Sequence, residues 1–529
     1  MVERWITSKS FPAAFRVALP LVLLSGCAAG PDYRRPDAPT ANDYTVQPLA
    51  EQAPAADAAQ GAAQHFVTAQ DIPFDWWTLF KSPQLNALIE RVLKANPGIG
   101  AAQAALRQAQ QNVVAQQGFF YPVAGVNYAP SRNKLAGNMG GNSPGQQQDG
   151  PTIMSTPDSP AYYNFHTAQL SIGYMPDVFG VNRRLVESAQ AQAEWQRMQL
   201  QAAHITLVSN VVAAAIQEAG LRAQIAAANT VISINRENLE ILRQQLALGF
   251  VAEMDVATQE LALAQAEQML PPLAKQMEQT RDLIRALAGN APGQDVPETF
   301  ELAELHLPEE LPLSLPARLV EQRPDVRAAE AQLHNASAQY GVAVANKMPQ
   351  FMVSANVGGM AAAPDWMFRS GGTFFSLTGN ISQLIFDGGT LRAKSRAAEQ
   401  ALLQAGAQYR NAVITALQNV ADTLHAIRAD AHALKAAAAA EQSSLAILKL
   451  TRKQYQLGYI SYQNMLTAQQ NYQLAVAALA QAQSARLGDA AALYQALGGG
   501  WWNRPEDQRS TADKSVATTV AAARGEHAP

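Results

Sequence analysis

One cysteine, Cys27, is all the chain contains, so no internal disulfide can hold it together. Charge is scarce too. Charged residues make up 16% of the sequence and the formal net charge is −4, which leaves no basic balance for a nucleic-acid partner. The eight histidines are scattered and no pair has the spacing of metal ligands. No glycine-rich phosphate loop follows a strand pattern, and Asp387-Gly388-Gly389 reads as a turn into a helix, without the Lys or Ser/Thr of a nucleotide site. These absences argue against an enzyme, a metal centre or a bound cofactor. The apolar run Val17–Leu24 is too short to cross a bilayer as a helix. Between Val181 and Leu246 proline is missing and glycine occurs once, at Gly220, so nothing stops a helix early.

That stretch organises the rest. Leu200, Leu207, Leu221 and Leu242 fall on one line with steps of seven, and Val211, Ile225, Ile232, Leu239 and Leu246 fall on another. Their offsets of four and three define the a/d seam of a coiled coil. At ~1.5 Å per residue a run of ~65 residues is ~100 Å long, too long for the core of a compact domain. His204, on the same seam, reads as a core polar residue. A shift of 209 positions carries this run onto a second, with Val413, Val420, Ile427, Leu434, Leu448 and Tyr455 standing over His204, Val211, Glu218, Ile225, Leu239 and Leu246. The returning helices agree at the same shift, Val256, Leu263, Leu270 and Ile284 with Met465, Tyr472, Leu479 and Leu493. So do the corners between them, Leu248-Gly249-Phe250-Val251 and Leu457-Gly458-Tyr459-Ile460, where glycine supplies a left-handed residue that ends a helix. The chain is a duplicated helical hairpin.

The ends and connections are of other kinds. Residues 1–26 have the basic start, short apolar middle and small residues of a secretory signal peptide. Leu24-Ser25-Gly26-Cys27 resembles a bacterial lipobox, which makes Cys27 the lipidated first residue of the mature chain, and Ala28 after it fits sorting to the outer membrane. Residues 27–72 have no periodicity and read as an extended strap kept from helix by Pro31, Pro36 and Pro39. The Asp75-Trp76-Trp77 stretch precedes an amphipathic helix, and its tryptophans read as packing aromatics rather than a ligand platform. Four stretches alternate as strands, at about 119–130, 166–178, 348–359 and 373–386, with aromatics at their ends. Residues 131–160 between the first two are rich in Gly, Asn, Gln and Pro and carry no core pattern.

Strands of roughly ten residues can cross a membrane when tilted, but a sheet in lipid must close, and known barrels start at about eight strands. Four are too few, so copies must share a barrel. Two, three or four chains satisfy the count.

Asp75-Trp76-Trp77, the run Gln322-Arg323-Pro324-Asp325-Val326-Arg327-Ala328-Ala329-Glu330, the corners Phe179-Gly180 and Phe386-Asp387-Gly388-Gly389, and the two Leu-Gly corners together resemble the TolC family of outer-membrane efflux channels. The likeness covers about residues 24–497 and is greatest to the OprM-like lipoprotein branch that serves RND pumps. It implies a mainly α fold with a membrane β part, in two tandem repeats that each give two strands and long coiled-coil helices. A homotrimer would close a 12-stranded β-barrel continuous with a periplasmic α-helical barrel. The first repeat then spans 73–290, with its helical hairpin at about 181–289. An equatorial connector spans 291–322 and the second repeat 323–497, with its hairpin at about 388–497. Residues 498–529 read as a disordered tail.

The resemblance assigns Leu248, Gly249, Phe250 and Val251, with Leu457, Gly458, Tyr459, Ile460 and Ser461, to tips that meet a periplasmic adapter protein, itself bound to an inner-membrane RND pump. Acids that ring the periplasmic entrance in many members are replaced here by Asn464 and Thr467, while the first repeat keeps Glu253 and Asp255. These four are the candidate gate, although Asp255 in a first helical turn is also where an acid is welcome. Pro271-Pro272 is expected to interrupt and bend the returning helix. The implied function is passive export of drugs or other small molecules. A type I protein-secretion channel and a lipid-anchored periplasmic scaffold without a pore are the alternatives.

Overall fold

The computed structural model describes residues 29–37, 43–45, 52–134 and 162–504. The signal peptide, Cys27, parts of the strap, most of the 131–160 stretch and the tail from 505 lie outside the described residues. Within them the chain has eight α-helices: α1 (Pro83–Ala95), α2 (Pro97–Gln117), α3 (Val181–Ala247), α4 (Glu253–Leu287), α5 (Pro316–Gln322), α6 (Pro324–Ala345), α7 (Thr390–Gln456) and α8 (Tyr462–Ala496). Its seven strands are β1 (Gln52–Ala53), β2 (Gln64–Thr68), β3 (Val123–Lys134), β4 (Tyr162–Tyr174), β5 (Glu310–Leu313), β6 (Gln350–Ala361) and β7 (Thr373–Ser382). They divide between two compact units, one made of Met1–Arg34, Ala109–Gln192 and Leu333–Ala405, the other of the remaining residues.

The duplication is metrical. α3 and α7 are each 67 residues long, α4 and α8 each 35, and the 209-residue shift carries the ends of one pair onto the ends of the other. In the second unit the seam residues Val211, Leu239, Val420, Ile427, Leu434 and Leu448 are buried. α4 closes on α3 through Leu239, Leu242 and Val256, and further along through Val231, Ile232 and Ala266. α3 also contains a window long and apolar enough to cross a membrane, but half of that window is buried within the protein.

Buried charge fixes the connecting segments onto these helices. Glu218 is fully buried on α3 and pairs with Arg222 at 2.8 Å and with Arg281 of α4 at 3.3 Å. Arg281 also donates to the carbonyls of Val296 and Glu298, each at 2.6 Å, and so holds the connector. In the second repeat the buried Arg486 of α8 donates to Ala62 O at 2.7 Å and to Gln64 Oε1 at 3.3 Å. Leaving a buried charge without its partner costs about 3–5 kcal/mol, so each arginine makes its segment's path specific. Arg323, in the motif run, donates to Ala496 O at 2.8 Å, satisfying a last-turn carbonyl of α8, while Asp325 grips its other edge at 2.6 Å.

Several expectations are revised. Residues 27–72 are more than an extended strap, because β2 pairs in parallel with β5 of the connector and antiparallel with β1. The expected strand at about 119–130 begins later, at Val123, after a 3-10 turn over Gly118–Phe120, and runs on to Lys134 because it pairs with β4 there. The strand expected at about 166–178 is shifted to Tyr162–Tyr174, since Pro176 has no N–H to continue the ladder. The later strands lie at Gln350–Ala361 and Thr373–Ser382 rather than at about 348–359 and 373–386. α4 continues through Pro271-Pro272 without interruption. Both prolines are exposed, as are Glu267 and Gln268, so water can take the carbonyls left without donors.

Residues 498–504, expected in the tail, are folded. Gly498, Gly499 and Gly500 all have positive φ (97°, 62° and 66°), which only glycine adopts freely, and turn the chain back onto the unit. There Trp501 donates to Gln322 O at 2.6 Å, Trp502 to Asp71 Oδ1 at 2.8 Å and Asn503 to Ile72 O at 2.7 Å. The Trp76 ring, nearly fully buried, stacks on Tyr494 of α8 with centroids 5.2 Å apart, in keeping with its reading as a packing aromatic.

Two half-buried groups oppose each other as pH changes. Burial, then the positive charge of Arg504, pushes the His204 imidazole down from 6.5 to about 4. Burial, then the charge and hydrogen bond of Asp430, pushes the Asp489 carboxyl up from 3.8 to about 7. The unfolded chain protonates His204 before the folded one does, so that contribution is lost as pH falls from 6.5 through 4. The folded chain keeps the Asp489 proton that the unfolded chain releases, so that contribution is full below 3.8 and lost as pH rises through 7. Urea midpoints measured at about pH 5 and about pH 7 should rise with pH in Asp489→Asn and fall with pH in His204→Gln. Parallel profiles in the two variants would contradict this account.

Candidate functional site

The two hairpin corners are built alike from the backbone up. In the first, Gly249 (φ 76°) donates to Leu246 O and Phe250 to Gln245 O, each at 2.9 Å. In the second, Gly458 (φ 76°) donates to Tyr455 O and Tyr459 to Gln454 O, again at 2.9 Å. This paired closure satisfies the last carbonyls of α3 and α7 within the turn, leaving the side chains free to face outward. Leu248 is 72% exposed, Phe250 77%, Leu457 60% and Tyr459 78%. Val251 and Ile460 are half-buried and Ser461 is exposed. Tyr462, just past the second corner, packs against the Leu239–Leu242–Val256 cluster of the first hairpin and lies 5.4 Å from Tyr455, so the two corners are neighbours.

The four gate candidates are all exposed, but they have local work. Asp255 Oδ2 accepts the Ala252 N–H at 2.9 Å and closes the N-terminus of α4. In the second repeat that role passes to Ser461, whose hydroxyl accepts the Asn464 N–H at 3.4 Å. Thr467 donates back to Gln463 O at 3.0 Å. Glu253 stands in the first turn of α4. The repeats differ above the corners as well. Arg236–Glu267 and Arg243–Glu260, both 2.8 Å, bridge α3 and α4, and Gln259 donates to Asn235 Oδ1 at 3.0 Å beneath them. Among the described residues no ion pair bridges α7 and α8.

In the first unit the order β3-β4-β6-β7 makes an antiparallel sheet whose outer strands are β3 and β7. Its register sorts the side chains onto two faces. Ala124, Val126 and Tyr128 stand in cross-strand line with Ile172, Leu170 and Ala168, then with Ala355, Val357 and Gly359, then with Leu377, Phe375 and Thr373. The other face is mainly small and polar, with Gly125, Asn127 and Ala129, Ser171, Gln169 and Thr167, Asn356, Gly358 and Ser354, and Ser376 and Thr378, and has Val123, Met360 and Phe374 among them. The apolar face is exposed, with Val126, Phe375 and Leu377 among the most accessible large apolar residues. An exposed apolar face backed by a polar one reverses the usual pattern of a soluble sheet.

One site escaped sequence reasoning. Ala29 donates to Phe179 O at 3.0 Å, Asp32 pairs with the buried Arg184 at 2.7 Å, and Tyr33 stacks on His334 with centroids 4.2 Å apart. His334 Nε2 in turn lies 2.8 Å from Glu187. Gly30 lies so close to Gly341 that a Cβ on it would stand 2.7 Å from that residue's Cα. The lone glycine inside helix α6 was the available signal.

A profile of the outer membrane efflux protein family matches residues 88–290 and 315–499. The pyoverdine export outer membrane protein OpmQ of Pseudomonas putida is 29% identical over 82% of this chain and 90% of its own length. The probable efflux pump outer membrane protein TtgC of the same species is 25% identical over 92% of this chain and 96% of its own. The solved structure of the outer-membrane channel OprN superposes with a TM-score of 0.76 at 27% identity, covering 90% of this chain and all of that one.

Replacing Gly249 or Gly458 by alanine puts a Cβ on a left-handed residue in open space, so strain is the only penalty. Each change should destabilise its corner by about 1–2 kcal/mol. Faster amide exchange confined to the adjoining helix ends would show it, and exchange unchanged there would refute it.

Proposed function

The chain belongs to the outer membrane efflux protein family, and on that premise we propose that it is the outer-membrane channel subunit of a tripartite efflux system, a passive duct for small molecules. The observation that carries this reading is the sheet, apolar on one face, polar on the other and open along β3 and β7. An open edge in hydrocarbon leaves backbone groups unpaired, at several kcal/mol each. Copies joined β7 to β3 remove every edge, with the apolar face toward lipid and the polar face lining water. Three copies give twelve strands, the number the family resemblance implies.

The remaining assignments follow from the same duct. Cys27 precedes Ala29 by two residues, a reach of about 7 Å. Because Ala29 is tied to Phe179, just past the end of β4, acyl chains on Cys27 would enter the outer membrane beside the sheet. The exposed apolar corners Leu248–Val251 and Leu457–Ser461 suit the helical tips of a periplasmic adapter, which would link the duct to an inner-membrane RND pump. The pump supplies the energy, and the chain itself performs no chemistry. Near its corner α7–α8 lacks the two surface ion pairs that fasten α3–α4 there, which favours this tip as the part that opens. Asn464 and Thr467 would stand at the entrance, with Glu253 and Asp255 in the first repeat. Export of small molecules agrees with relatives named for pyoverdine export and efflux.

Purified in detergent, the protein should run as a heat-sensitive trimer and give long-lived conductance steps in a planar bilayer. A stable monomer without conductance would sink the proposal. Three Asp255 carboxylates near one axis should favour cations and be eased by salt. Asp255→Ala should therefore lower cation selectivity at low salt, and unchanged selectivity would remove Asp255 from the gate while leaving its cap to α4 intact as the explanation.

A further inference from the structure

β7 ends at Ser382, yet the chain runs on through Gln383-Leu384-Ile385-Phe386 before Asp387 caps the next helix through Gly389 and Leu391 N–H groups. Leu384 is 58% exposed, Ile385 90% and Phe386 88%. At the opposite border of the same sheet the chain enters β3 through the turn Gly118–Phe120, with Phe119 57% and Val123 66% exposed. β7 runs toward the helix that follows it, and β3 runs away from the helix that precedes it. Both bare apolar stretches therefore sit at the helix-side ends of the two outer strands.

Joining copies edge to edge brings these stretches together. The apolar face stays continuous only if odd-numbered β7 residues (Phe375, Leu377, Ile381) oppose even-numbered β3 residues (Ala124, Val126, Tyr128), since a slip of one would turn polar side chains to lipid. With the strand ends level, such a register puts Leu384–Phe386 of one copy beside Phe119–Val123 of the next. A groove of about 560 Å³ opens at the β7 side, lined among others by Val342, Met348, Ser382, Leu384, Leu391 and Lys394. Its lining mixes these apolar side chains with Gln339, Asn346, Gln350 and Gln383, and it is large enough for an aromatic ring.

We infer that the helix-side end of β7 is a clasp for a second copy of this chain, in which Phe119 of one subunit seats in the groove beside β7 of its neighbour under Leu384, Ile385 and Phe386. This rests on the edge-to-edge assembly proposed above and adds what fixes its register. The clasp holds the apolar and polar faces in phase where the sheet gives way to helices, the level at which a slip would propagate into both.

The full-length, acylated protein carrying both Phe119→Cys and Phe386→Cys, oxidised mildly in membranes, should form covalent dimers and trimers on non-reducing gels. The yield should be about tenfold that of either single variant, because disulfides form only between Cα atoms within about 7 Å. A double variant that assembles the heat-sensitive trimer without covalent bands, its thiols instead labelled by a lipid-phase maleimide, would mean that these residues face lipid. That result overturns the clasp and leaves the trimer standing. Absence of any oligomer from the unsubstituted protein would instead refute the assembly itself. Phe119→Ala and Phe386→Ala provide a second reading. Each should lower the temperature at which the trimer dissociates, and together they should lower it no further than the larger single effect. Additive shifts would overturn the clasp.

Discussion

A backbone amide in hydrocarbon has no water to bond, so every N–H and C=O of a membrane sheet must find a partner on another strand. Four strands in the order β3-β4-β6-β7 meet that demand within the sheet and leave it unmet along two borders. The proposed function depends on this deficit. The apolar face, the polar face and the bare aromatic ends of the outer strands make sense together only when the borders of one copy meet those of another.

Duplication supplied the frame, and divergence supplied the chemistry. The two hairpins share helix lengths and the same corner closure, down to the same φ at Gly249 and Gly458. Their fastenings differ. The first repeat closes α4 with the Asp255 carboxylate and bridges its helices with Arg236–Glu267 and Arg243–Glu260; the second closes α8 with Ser461 and sets Tyr455 against Tyr462. Surface ion pairs contribute only about 0.2–1 kcal/mol each, so these two add little to the stability of the first hairpin. The buried charges follow the same rule of shared position and altered detail. Arg281 fixes the connector and Arg486 fixes β2 and the residues before it, each from the returning helix of its own repeat.

Membership of an efflux family and the sheet's two faces point to the same task, yet they are independent observations. The first comes from similarity along most of the chain, the second from the register of hydrogen bonds. Neither names what passes through. The mainly polar face of the sheet offers Asn, Ser, Thr and Gln side chains, which have little with which to tell one cargo from another.

The heptad seam, the 209-residue repeat, the corner glycines and the alternation of the strands were all readable from the chain by itself, because helix period, strand period and positive φ are local demands that a few neighbouring residues must satisfy. Strand ends were readable only to within a few residues, since Pro176 and the pairing of Lys134 with Tyr162 set them together. The rest needed the tertiary structure. The parallel pairing of β2 with β5, the return of Trp501 to Gln322, the seat of Tyr33 on His334 and the unbroken passage of α4 through Pro271-Pro272 join or accommodate segments with no period to betray them. Such contacts are chosen by which distant carbonyl, ring or charge completes a buried hydrogen bond, and distance along the chain holds no record of that choice.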